Sequence, residues 1–243
     1  MSKSIIVIGA GIAGLATAYA AALRGFKVSV IDRDPFARGA SVRNFGMVWP
    51  IGQPKYDLFG TAIRSRNVWM QLCQEAGIWY EANGSLHLAY ETDEWEVLQE
   101  LEQEMSYNQC KLLTPKQTLA KSKYVRSEKL KGALFSGSEL IVDPRQAIRK
   151  LPGYLNERYG VEFIWSKPVN SLGTGYVQSG KEVIKADLIF ICNGSDFLTL
   201  YPEIFGSLAI TNCKLQMMRV KIEAGDRIGP VLCGPLSLLH YKS

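Results

Sequence analysis

Residues 4–32 read SIIVIGAGIAGLATAYAAALRGFKVSVID, and this stretch decides the fold. Ser4–Ile8 is a short run, wholly apolar from Ile5 on, the pattern of a parallel strand buried on both faces. Gly9, Gly11 and Gly14 follow as GxGxxG, then a helical, alanine-rich segment over Leu15–Arg24 and a second strand over Lys27–Ile31 that ends at Asp32. A lone GxGxxG is a weak signal. Strand, glycine turn, helix, strand and terminal acid in that order make a dinucleotide site. Gly9 permits the tight turn, Gly11 lets a pyrophosphate approach the backbone, and Gly14 lets the helix pack on the sheet. Ile12 and Ala13, within the glycine turn, are cofactor-binding candidates beside a helix N-terminus whose N–H groups and positive dipole end suit phosphate. Asp32, about 20 residues on, accepts hydrogen bonds from a ribose diol and disfavours a 2′-phosphate.

The motif does not choose between NAD and FAD. The next segment, from Arg33 to Pro50, is irregular and rich in Gly, Ser, Asn and Arg, where an NAD-type domain would continue into helix and strand. A long structureless segment inside a compact domain is usually functional. Residues 39–50, GASVRNFGMVWP, together with the opening motif resemble the D-amino-acid oxidase type of FAD-dependent oxidoreductases, the family of glycine and sarcosine oxidases. By that resemblance Arg33, Ser41, Arg43, Asn44, Gly46 and Met47 follow the flavin pyrophosphate and ring, and Trp49 borders the substrate. Arg43 is the one charge within SVRNFGM and suits a pyrophosphate, a phosphonate or plain solvent. The wording SVRNFGMVWPIGQ is similar to a bacterial subgroup associated with aminophosphonate breakdown.

The middle of the chain shows only α/β content: a helix over Thr61–Ala76, a strand over Gly84–Ala89, an acidic helix over Asp93–Tyr107, and a short helix opened by Thr114-Pro115. His87, without an acid nearby in sequence, reads as a packed or surface strand residue. Ala133–Phe135 and Glu139–Val142 read as strands. Asp143-Pro144 caps a helix that runs to Tyr159 and ends at Gly160. Strands follow at Val161–Trp165 and Val183–Lys185, with a turn over Gly173–Gly180. A further buried strand, Ala186–Cys192, runs into Asn193-Gly194, and Lys214–Ile222 reads as a strand. The resemblance makes Val169 a backbone contact for adenine and Asn193-Gly194 a second cofactor contact.

The family pattern divides the chain into a first part of the FAD-binding domain (1–80), a first part of a substrate-binding domain (81–142), a return segment (143–212) and a second substrate-domain part (213–243). The fold class is thus α/β: a Rossmann-type FAD-binding domain with an inserted α+β substrate-binding domain, incomplete at its C-terminus. His240 and Tyr241 at that end are further substrate candidates. Related proteins run on for about another third, so the resemblance implies a fragment or a truncated reading frame.

The 243 residues carry a net charge of +5 without a basic cluster, which speaks against a nucleic-acid partner. Five widely spaced cysteines without a CxxC pair suit a reducing, cytoplasmic setting, and two histidines leave little scope for a metal centre. The uncharged run Ile5–Leu23 is broken by glycines and divides into strand and helix, so it is not read as a membrane span. The expected function is oxidation of a C–N bond in a small amine, amino acid or aminophosphonate by hydride transfer to FAD, with oxygen or another electron acceptor. The alternatives are a catalytically incomplete FAD-binding chain and an NAD-dependent dehydrogenase.

Overall fold

The computed structural model describes residues 2–53, 58–105, 110–220 and 225–234. In chain order the elements are β1 (Ser4–Ile8), α1 (Ile12–Ala22), β2 (Lys27–Ile31), β3 (Met47–Val48), α2 (Phe59–Glu75), β4 (Tyr80–Glu81), β5 (Ser85–Ala89), α3 (Thr92–Glu104), β6 (Cys110–Leu113) and α4 (Pro115–Lys121). There follow β7 (Gly132–Ser136), β8 (Leu140–Val142), α5 (Pro144–Tyr159), β9 (Glu162–Ile164), β10 (Ser171–Gly173), β11 (Tyr176–Ser179), β12 (Glu182–Lys185), β13 (Leu188–Ile191), α6 (Pro202–Gly206) and β14 (Val231–Cys233). They form two compact units. The first comprises 1–45, 76–78 and 143–218, and the second 46–75, 79–142 and 219–243.

The first unit is built on a parallel sheet in the order β13-β1-β2-β9. Ile5, Ile6, Val7 and Ile8 of β1 are all buried, as a central parallel strand requires. Because side chains alternate across a strand, Ile6 and Ile8 share one face, where they meet Val169, Val177 and Leu200. Val7 turns to the other face, beneath the start of α1. α1 packs beside α5 through an edge-on contact of Tyr19 and Tyr159, with ring centroids 5.6 Å apart. Asp143 caps α5 as its sequence predicts: one carboxylate oxygen accepts from the backbone of Arg145 at 2.9 Å and of Gln146 at 3.0 Å.

Three expectations need correction here. β13 forms where a buried strand is expected, but among the described residues it is an edge strand on which Leu188, Phe190 and Ile191 are exposed. The stretch Gly173–Gly180 is not a single turn but holds β11, the middle strand of an antiparallel sheet β10-β11-β12. Its glycines mark the two hairpin bends, and Val177 between them is fully buried. Residues 214–220 carry no strand; Lys221 and Ile222 lie outside the described residues.

The second unit holds a sheet β14-β5-β7-β6 and a small sheet β3-β8-β4. Every residue of β5 is buried. Leu86 and Leu88 pack on one side with Val125 and Leu130, and Ala89 packs with Leu98 of α3 and Leu134 on the other. The divide between the units falls at residue 45, whereas the family pattern runs the first part on to residue 80. Pairing explains the difference: Met47 and Val48 lie against Ile141 and Leu140, and the Arg66 guanidinium donates to the Ser138 carbonyl. No helix among the described residues is long and apolar enough to cross a membrane.

Candidate cofactor site

The glycine turn after β1 is shaped by close backbone approaches. Gly9 has φ +102°, a conformation side chains rarely adopt, and a Cβ there would lie 2.3 Å from the Cys192 carbonyl oxygen. A Cβ on Gly14 would lie 1.8 Å from the Gly9 carbonyl oxygen, so only glycine lets α1 sit this near the turn. Gly11 has one close neighbour, the Ser41 hydroxyl, 3.1 Å from where its Cβ would stand. That hydroxyl accepts a hydrogen bond from the Ile12 backbone N–H at 2.9 Å and caps α1 from a distant loop. Its reach explains why α1 begins at Ile12, ahead of the apolar run at Leu15.

Asp32 closes the other side. One carboxylate oxygen accepts from the Ala10 N–H at 2.7 Å and the other from the Asp34 N–H at 2.9 Å. Each oxygen has the capacity to accept a further bond, so the group is fixed in place yet able to receive a diol.

These residues open onto a cleft of about 330 Å³ within the first unit. Of the sequence-derived candidates, Gly9, Gly11, Asp32, Arg33, Ser41, Val169, Asn193 and Gly194 line it. Gly14, Ile12 and Ala13 stand just outside at the start of α1, where the backbone matters rather than the side chain. Arg43 and Asn44 do not reach the cleft and are exposed. The Asn44 amide instead donates to the Ala40 and Ser41 carbonyls, folding the loop that presents Ser41. Gly46, Met47 and Trp49 belong to the second unit. His240 and Tyr241 lie outside the described residues.

Sequence reasoning missed four charged residues of the cleft: Asp34, Arg38, Lys167 and Asp196. Lys167 lines it and pairs with Glu182 at 2.6 Å. Asp196 lines it and pairs with Arg33 at 2.6 Å. Burial pushes the Asp196 carboxyl up, but hydrogen bonds from the Thr199 hydroxyl and the Leu198 and Thr199 backbones, with the Arg33 charge, hold it below the usual range. The available signal was the short Asn-Gly-Ser-Asp turn, whose last residue suits a local carboxylate-to-backbone bond.

The second unit contains a buried polar chain. Glu139 accepts from the Ile51 N–H at 2.9 Å and from the Ser85 and Ser138 hydroxyls at 3.1 and 3.0 Å. Ser85 therefore accepts from His87 Nε2, 3.2 Å away, which sets the ring's tautomer. His87 is packed, as expected, and lies edge-on to Trp49 with centroids 5.3 Å apart. Burial lowers its pKa to about 4. Among the described residues no three metal-ligating side chains gather.

The family profile described as DAO, FAD dependent oxidoreductase, matches residues 4–239. The chain belongs to this family. Its fold is similar to L-proline dehydrogenase from P. horikoshii (TM-score 0.70, 22% identity, 79% of this chain and 53% of that one). It is similar also to glycine oxidase from Bacillus cereus ATCC 14579 (TM-score 0.70, 22% identity, 84% and 58%). A third similar structure is L-alpha-glycerophosphate oxidase from Mycoplasma pneumoniae with FAD bound (TM-score 0.63, 20% identity, 79% and 53%). The chain thus spans between 53% and 58% of the length of these structures. No curated protein matches it. As a DAO-family member the chain has FAD as its cofactor, which sets aside the NAD alternative. The cradle fits a dinucleotide: two glycines without room for side chains, a third that leaves its backbone open to a ligand, a helix N-terminus and a fixed acid.

Proposed function

We propose that the protein oxidises the C–N bond of a small amine, amino acid or aminophosphonate, with FAD held in the cleft of the first unit. The observation that carries this is the cradle itself, with the glycine turn under the Cys192 carbonyl and Asp32 fixed by two backbone N–H groups. Asp32 takes the ribose diol, the start of α1 and the Gly11 backbone take the pyrophosphate, and Val169, Asn193 and Gly194 offer backbone to the nucleotide. Bound FAD supplies the acceptor for a hydride from the substrate carbon and passes the electrons on to oxygen or another acceptor. The protein's own task is to hold the substrate carbon beside that acceptor and keep water out, an effect worth up to roughly 7–11 kcal/mol. No side-chain acid or base is needed when the amine arrives neutral. The imine then hydrolyses in water to a carbonyl compound and ammonia or an amine.

Glycine oxidase among the similar folds supports an amino-acid substrate. The loop wording around Arg43 supports the aminophosphonate class, because an exposed guanidinium is suited to a phosphonate. Five free cysteines support a reducing, cytoplasmic setting. The test is to load the chain with FAD and follow flavin reduction without oxygen, then peroxide with oxygen, on glycine, sarcosine, D-alanine and 2-aminoethylphosphonate. Reduction by at least one of them is expected. Flavin that stays oxidised with all four would overturn the C–N reading. Arg43→Ala should raise KM for the phosphonate about tenfold while leaving that for glycine within about twofold, since a charge-assisted bond is worth about 1.5–3 kcal/mol.

A further inference from the structure

The two loops beside the glycine turn are tied together across it. β13, β1 and β2 are parallel neighbours in that order, so the loops that leave β13 and β2 emerge at the same end, on either side of the turn that leaves β1. They stand about two strand spacings apart, roughly 9–10 Å. The Arg33 guanidinium, from the β2 loop, crosses that distance to Asp196, from the β13 loop.

Both ends of the link are anchored. The backbone on either side of Arg33 is held by hydrogen bonds from Lys167 N to the Asp32 carbonyl and from Ser166 N to the Asp34 carbonyl. Asp196 accepts from the Leu198 and Thr199 N–H groups at 3.1 Å each and from the Thr199 hydroxyl at 2.6 Å. The Arg33 side chain is 56% exposed and that of Asp196 13%. The movable part is therefore the arginine, and its resting place is set by the acid.

We infer that Asp196 is a positioning residue for the cofactor: it holds Arg33 as a clasp over the nucleotide end of the cleft, and opening of this pair governs FAD release. This rests on the reading of the cleft as the FAD site. The pair also spends the Arg33 charge on a carboxylate, so Arg33 acts here as a strap and not as an unpaired counter-ion for the pyrophosphate.

The test measures FAD dissociation from the full chain, by recovery of free-flavin fluorescence after dilution, for the parent, Asp196→Asn, Arg33→Gln and the double variant. Wild type that takes up no FAD would overturn the cofactor assignment, and the inference with it. Given FAD uptake, each single variant should release FAD about fivefold faster, the scale of an exposed ion pair. The double variant should be no faster than either single one. Raising the salt concentration should speed release from the parent and leave the double variant unchanged. Parent-like release from Arg33→Gln, or effects that multiply in the double variant, would overturn the clasp. Thermal unfolding of the FAD-free forms runs alongside. If Asp196→Asn unfolds early, the exposed Arg33→Gln and its salt dependence decide the matter alone.

Discussion

Gly14 and Gly11 are both motif glycines, yet the neighbours of their missing side chains differ. At Gly14 a Cβ would meet the Gly9 carbonyl, which is backbone and cannot step aside. Gly14→Ala should therefore cost roughly 1–3 kcal/mol of stability, read as a lower urea midpoint. At Gly11 the neighbour is the movable Ser41 hydroxyl. Gly11→Val should fold with an unfolding temperature near the parent's but purify without flavin; stoichiometric flavin in that variant would refute the role given to the turn. His87 makes a separate prediction. Burial depresses its folded pKa to about 4, so the unfolded chain binds the extra proton between there and the usual 6.5. Stability from this group is complete above about pH 6.5 and is lost as pH falls toward 4, by up to about 3 kcal/mol. His87→Leu should flatten that part of a thermal-melting curve taken from pH 7 to 4.

Elements whose signals are local were legible in the sequence. α5 is the clearest, with its acid, proline and closing glycine, and Asp143→Ala should cost about 1 kcal/mol in urea unfolding through the loss of two N–H partners. β1, α1 and β2 were legible for the same reason: each follows from a periodicity or a turn residue within a few positions. β11 was not, because four residues between glycines look like loop until Val177 is seen to be buried beneath the parallel sheet. β3 was not legible either, as two residues hold no period and depend on pairing with β8, far along the chain. The site divides in the same way. The glycines and Asp32 sit in one local motif, whereas Asp196 gains its meaning from Arg33, which is remote in sequence. Arg43 and Asn44 were assigned to the site through resemblance, and in the structure they shape or border the loop and do not line the cleft.

At the scale of the whole molecule, cofactor binding and folding draw on the same residues of the first unit. A ligand that binds only the folded form stabilises it by about 2.7 kcal/mol at a hundredfold excess over Kd. FAD should thus raise the unfolding temperature seen by calorimetry, and NADP at equal concentration should not, since Asp32 faces a 2′-phosphate with like charge. A melting curve unmoved by FAD would count against the cleft.

The hydroxyl of Ser41 accepts from the N–H at the head of α1, a donor that an anion would seek. One of the leading N–H groups of the helix is thus met by its own chain. An arriving phosphate trades places with a serine instead of filling a void, and gains only the difference between a charged acceptor and a neutral one. Ser41 is thereby the group with which a phosphate competes for the head of the helix.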